Sequence, residues 1–148
     1  MTAYKQIQLT NSAIPDVAVN AYMPLGKVTR RINAPYTPAS TFVVTTSAAD
    51  SVVINDAGFY KITYSLTAEV AAAGTVTVAL VVNDNVVYSV SEYAADAEQP
   101  VNLTLPYTIR VASNCSAAPT NVPTVIQIQN TGLALTGQSG NLIIEKVQ

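Results

Sequence analysis

The feature that most constrains this chain is a period of two. Along most of its length β-branched, aromatic and aliphatic residues alternate with polar ones, and Gly, Pro, Asn or Asp breaks the pattern every ten or so residues. Successive side chains of a strand point to opposite faces, so this alternation predicts half-buried strands and an all-β fold. The clearest run is Val101, Leu103, Leu105, Tyr107, Ile109 and Val111, with Asn102, Thr104, Pro106, Thr108 and Arg110 facing the other way. Pro106 has no amide hydrogen to give a ladder, which places this strand near a sheet edge or a bulge. Tyr60, Ile62, Tyr64, Leu66 and Ala68 line one face of another strand, entered through the turn Asn55-Asp56-Ala57-Gly58, whose glycine can take a positive φ. Val76, Val78, Leu80 and Val82 form a third strand, which Asn83-Asp84-Asn85 turns into Val86-Val87-Tyr88-Ser89-Val90 as a hairpin.

Two more strands close the chain, residues 124–129 and 141–147, joined by a link containing Gly132, Gly137 and Gly140. The last is apolar on both faces, so it belongs centrally in a sheet, covered on one side by a second sheet and on the other by a neighbouring chain. Residues 68–73 favour helix but are too few, and Gly74 ends them; little or no helix is expected. Residues 1–40 differ in texture, with Pro15, Pro24, Pro35 and Pro38. They are expected to supply the first strands in irregular form. The basic cluster Lys27, Arg30 and Arg31 reads as a solvated loop face, or as a patch that docks on an acidic partner.

At 148 residues, 1–148 makes one domain. Nearly half of it, 49%, is apolar and only 11% is charged, so a partner subunit is expected to cover part of the sheet surface. A net charge of −2 provides no field for nucleic acid or an anionic membrane. The longest apolar stretch, residues 70–82, is interrupted by Gly74, Thr75 and Thr77 and falls short of the ~20 residues a spanning helix needs. The amino terminus lacks the apolar run and cleavage site of a secretory signal, which implies cytosolic synthesis and makes the sequons at Asn102 and Asn114 chance matches. Cys115 is the only cysteine, so it can form neither an intrachain disulfide nor a Cys-based zinc cluster and reads as a free thiol.

Histidine is absent, and with it the Ser-His-Asp and Cys-His routes to an activated nucleophile and the commonest zinc ligand. Gly137-Gln138-Ser139-Gly140 has neither the lysine nor the strand-to-helix setting of a phosphate loop. Glu92, Asp96 and Glu98 fall within one short segment read as a loop. It is taken as a solvated acidic loop ahead of a weak calcium site, and a calcium site ahead of a carboxylate pair for glycoside hydrolysis. No enzymatic activity and no cofactor are expected. Eight tyrosines stand against two Phe and no Trp. Tyr60, Tyr64 and Tyr107 on strands suit a core or a subunit interface, whereas Tyr22, Tyr36 and Tyr93 are candidates for recognising a host glycan or receptor.

Residues 53–62, Val81-Val82-Asn83-Asp84-Asn85-Val86, Gly132-Leu133-Ala134-Leu135 and Leu142-Ile143-Ile144-Glu145-Lys146-Val147 resemble the carboxy-terminal domain of bacillar collagen-like spore-surface glycoproteins. The resemblance covers roughly residues 50–148. It implies a TNF-like jelly roll that assembles as a tight homotrimer, in a group whose related modules occur on phage tail fibres, head fibres and capsid decorations. The chain has no collagen stalk, and synthesis without an export signal suits a particle assembled inside a cell and released by lysis. The expectation is therefore a two-sheet jelly-roll sandwich acting as a homotrimeric structural module on a virion surface, with a spore surface or a glycan-binding adhesin as alternatives. Tyr60, Tyr64, Tyr107, Ile143 and Val147 are the expected trimer contacts, and Lys27, Arg30 and Arg31 the expected attachment patch to other virion or spore-coat proteins.

Overall fold

A computed structural model describes residues 4–14, 16–34, 41–44, 50–97, 99–112 and 123–147. Ten strands follow one another: β1 (Tyr4–Ile14), β2 (Lys27–Ala34), β3 (Phe42–Val43), β4 (Val52–Ile54), β5 (Gly58–Val70), β6 (Gly74–Val82), β7 (Asn85–Ala94), β8 (Val101–Val111), β9 (Thr124–Asn130) and β10 (Leu135–Lys146). The described residues contain no helix. All pairings are antiparallel and build two five-stranded sheets: sheet A, ordered β2-β1-β10-β5-β8, and sheet B, ordered β3-β4-β9-β6-β7.

The alternation maps directly onto this sandwich. On β5 the residues Tyr60, Ile62, Tyr64, Leu66, Ala68 and Val70 are buried, while those between them face outward. On β8, Val101, Leu103, Leu105, Ile109 and Val111 are buried and Tyr107 is half-buried, with Pro106 pointing away on an edge strand as its missing amide requires. Val76, Val78, Leu80 and Val82 of β6, with Ile126 and Ile128 of β9, close the core from sheet B. The β6–β7 connection is a two-residue turn in which Asn83 and Asp84 both take positive φ, 48° and 66°. That is the conformation a tight hairpin needs and one that Asn and Asp tolerate.

Three elements differ from expectation. Residues 4–34 supply not irregular pieces but two long strands, 11 and 8 residues, with one register shift in their mutual pairing. Pro35 and Pro38 lie outside the described residues. The helix-friendly stretch from Ala68 forms no helix, as expected; it finishes β5 and then bends. Glu92 and Tyr93 belong to β7 rather than to a loop. Gly137 and Gly140 are not in a link but inside the 12-residue β10. A Cβ at Gly140 would stand 2.7 Å from the Tyr64 hydroxyl, so the glycine, paired with Leu66, makes room for a core tyrosine diagonal to it on β5.

Between β1 and β2 the chain crosses from one sheet to the other and straps an open end of the sandwich. Val17 exchanges backbone hydrogen bonds with Leu135 beside β10, and Asn20, Ala21 and Met23 bond to Asn130 and Ile128 on β9. The strap is tied by Asn130, fully buried, whose Nδ2 donates to the carbonyls of Leu133 (2.9 Å), Val17 (3.3 Å) and Ala18 (3.3 Å). At its far end Gly26 takes φ +83°, where any Cβ would collide with Thr10.

Candidate interaction surfaces

Charge is withdrawn from the surface at only one described place. Lys5 Nζ and Lys146 Nζ lie 2.9 Å and 2.8 Å from the same Asp56 Oδ2. Burial works to raise the Asp56 pKa, but hydrogen bonds from Lys146 and Lys5, together with their charges, outweigh it and hold the carboxyl below its ordinary value. The Tyr60 hydroxyl donates to the Asp56 backbone carbonyl at 2.7 Å, and burial with the Asp56 charge pushes its pKa upward. This cluster joins β1, β10 and the turn before β5. It clamps the three elements together, both lysines being engaged by one carboxylate.

The expected trimer contacts separate into two groups. Tyr60 and Tyr64 are 0% and 1% exposed inside a single chain; they fill the core and have no surface to offer a neighbour. Alternation predicts an inward face but does not say whether the cover is a second sheet or a second chain, and here it is sheet B. Tyr107 is half-buried and packs edge-on against Tyr88, ring centroids 5.4 Å apart, closing the seam between β7 and β8. Ile143 lies on the outer face of sheet A in a cross-strand row with Gln8, Thr63 and Pro106. Val147 stays about half exposed and its amide donates to the Phe59 carbonyl at 2.8 Å, setting it beside the exposed Phe59, which the sequence reading missed.

To one side of Ile143 that outer face is built mainly of small neutral side chains along β10, β5 and β8, while Glu145, Lys61 and Arg110 stand on the other. Thr10, Ser65, Thr67, Thr104, Ser139 and Asn141 help line an open trough of about 520 Å³. Its amides are held: Asn141 Oδ1 accepts from Gln8 Nε2 (2.9 Å) and Thr10 Oγ1 (3.1 Å), and Asn102 Oδ1 from Thr67 Oγ1 (2.8 Å). Asn102, one of the two sequon asparagines, is exposed.

Lys27, Arg30 and Arg31 are exposed on β2, an edge strand and not a loop, and none is in an ion pair among the described residues. Glu92 and Asp96 are exposed, and no group of three acidic, histidine or cysteine side chains converges among the described residues. Glu98, Cys115, Asn114 and Tyr36 lie outside those residues. Tyr22 is 37% exposed and Tyr93 65%. Tyr93 walls a second hollow, about 480 Å³, with Glu92, Gln99, Pro100 and Asn102. Gly137 and Gly140 lie within a strand, so they make no phosphate-binding turn.

Two five-stranded antiparallel sheets, between which the chain crosses repeatedly, define a jelly roll of the TNF-like type. No family model matches the chain, and none of the curated proteins matches it in sequence. Solved structures do. The vertex protein P5 of PRD1 aligns over 100% of both chains with a TM-score of 0.63 and 14% identity. The globular domain of the zebrafish complement 1qA protein aligns over 97% of this chain and 98% of its own, TM-score 0.66 and 7% identity. Eiger TNF from S. frugiperda aligns over 98% and 92%, TM-score 0.67 and 11% identity. At these identities the likeness is one of fold.

Proposed function

We propose that this chain is a non-enzymatic structural protein that works as a homotrimeric module on the surface of a phage virion, as a capsid decoration or a head or tail fibre. The observation that supports the reading is the alignment with the PRD1 vertex protein P5 over the whole of both chains. Self-association is supported by what a single chain leaves uncovered on and beside sheet A: the exposed Phe59 and Val147, the half-buried Ile143, and beyond Ile143 a stretch of small neutral side chains that a neighbour can approach closely. The cationic β2 edge, with Lys27, Arg30 and Arg31, is the surface proposed to dock on an acidic partner in the particle. Light scattering on a size-exclusion column across a hundredfold dilution tests the assembly: three times 15.5 kDa is expected throughout. A single-chain mass would overturn it. Antibody labelling of particles purified from a producing culture tests the location, with label on the particle surface expected and label confined to the soluble fraction counting against it.

The exposed Tyr93 and the hollow beside it favour one further reading, a glycan- or receptor-binding role on the same module. Saturable binding on a glycan array that Tyr93→Ala abolishes would establish it, and no binding at high protein concentration would dismiss it.

A further inference from the structure

Two sheets have four edges, and three of these have little to offer another strand. β7 and β8 close on one another where Tyr88 packs against Tyr107, and Pro106 removes a donor from β8 besides. β3 is only two residues long. β2 is the fourth edge, eight residues that pair with β1 on one side and with no described strand on the other. Residues 27–31 are exposed one after another, so neither face of the strand is covered there. Three of them are cations, and none is in an ion pair among the described residues. Lys27 and Arg30 pair with Thr10 and Gln8 and stand with them on the outer face of sheet A. Arg31 pairs with Ile7, whose side chain is turned into the core, and so stands on the opposite face. Thr29 has no partner in the ladder, because the register passes from Gln8–Arg30 to Leu9–Val28, which is a β-bulge. Beyond it residues 30–34 pair with residues 8–4 of β1 in unbroken register, a straight run of open edge that begins with the two arginines.

We infer that this edge takes up an extended acidic segment of a partner protein as an added strand of sheet A, bonded through its backbone to residues 30–34 and clasped by Arg30 on one face and Arg31 on the other. An open edge strand is a template for pairing, in which main-chain hydrogen bonds give affinity and the flanking side chains give specificity. A second copy of β2 is a poor occupant, because it would bring three cations against three, and like charges placed opposite one another across a ladder repel. The cations and the bulge thus guard the edge against its own kind. The same charges select a strand of opposite sign. Successive side chains of a strand point to opposite faces, so two neighbouring acidic residues, rather than alternate ones, would meet Arg30 and Arg31 together. Each guanidinium can hold a carboxylate through two parallel hydrogen bonds. A polyanion without a strand-forming backbone would find the three charges but could make no use of the edge. This inference rests on the proposed docking of the β2 edge on an acidic partner, and adds the form that the partner presents and the way it is bound.

The test is fluorescence anisotropy of a short labelled peptide of Thr and Val with two adjacent Glu at its centre, titrated with the whole chain up to millimolar concentration at low salt. Beside it run the same peptide N-methylated on alternate backbone nitrogens, which keeps the charge and removes the donors of one edge, the same peptide with Lys in place of Glu, and labelled heparin. Saturable binding of the Glu peptide is expected, at least tenfold weaker for the N-methylated and Lys peptides and for the variant Arg30→Glu/Arg31→Glu. Should that variant not fold, as judged by circular dichroism, the N-methylated peptide on the wild type still decides. Equal binding of the parent and N-methylated peptides overturns strand addition and leaves an edge that attracts anions by charge alone. Binding of heparin without binding of the Glu peptide overturns it equally, in favour of a polyanion that is not a strand. If neither binds, the proposed acidic docking at β2 fails with it.

Discussion

Asn130 shows what one side chain does in a fold whose strands would otherwise splay at an open end. Its amide serves three carbonyls of the strap and of the β9–β10 link, and its Oδ1 accepts from the Gly132 amide at 3.3 Å. Asn130→Ala removes the donor and leaves buried carbonyls to compete for a single void. The expected cost is about 2–3 kcal/mol, a fall of roughly 4–12 °C in Tm for a chain of this size, checked by calorimetry. Tyr64 presents the opposite case. Its hydroxyl is buried with no hydrogen-bond partner, lying against Gly140, and burial pushes its pKa up. Tyr64→Phe should leave the urea midpoint unchanged or raise it, by up to about 1 kcal/mol of stability; a loss larger than that would mean the hydroxyl has a partner. Such residues are only partly legible in a sequence. Tyr64 is marked as inward-facing by its place in the alternation, but Asn130 sits at the end of a strand where a polar residue reads as the start of a turn, and only the strap passing over it accounts for its burial.

Among the elements, those with strict alternation were legible and those without were not. β5, β6 and β8 each have one face on the core, and their patterns predicted which. β10 was cut short because glycines normally interrupt strands, whereas Gly140 is dictated by Tyr64, diagonal to it on β5. β7 lost its end to a supposed loop because a thinly covered edge strand alternates poorly, and most of its residues are exposed. The clamp on Asp56 acts at the same scale, tying β1 and β10 to the turn that launches β5. Its pH dependence follows from the lowered Asp56 pKa. A carboxyl with a depressed folded pKa contributes stability that is complete above its unfolded pKa, ~3.9, and is lost as pH falls through the lower folded value. The stability difference between wild type and Asp56→Asn should therefore be largest near neutrality and shrink as the pH is taken below the ordinary carboxylate range, as followed by urea unfolding across pH. A difference that is constant with pH would show that the two lysines do not depend on the charge of Asp56.

At the scale of the whole molecule, the order of strands in the sheets was not in the pattern, because alternation assigns faces and says nothing of neighbours. The all-β class and the central place of the last strand were legible; the pairing of β10 with both β1 and β5 required the fold. That central place makes Ile143 the sharpest probe of the proposed trimer. It sits on the middle strand of sheet A, its outer face half-buried by Gln8 and Thr63 on either side, so a long cation there can extend into solvent without disturbing the core beneath. In a trimer that uses this face, Ile143→Arg would bury three like charges close to one another, at a cost of several kcal/mol per contact. The variant should therefore run as a folded single chain, with unchanged far-UV circular dichroism, at concentrations where the wild type has three times the chain mass. If Ile143→Arg keeps the wild-type mass, the outer face of sheet A is not where the copies meet. The contact would then have to be sought at the β7–β8 seam, where Tyr88 and Tyr107 close the sandwich.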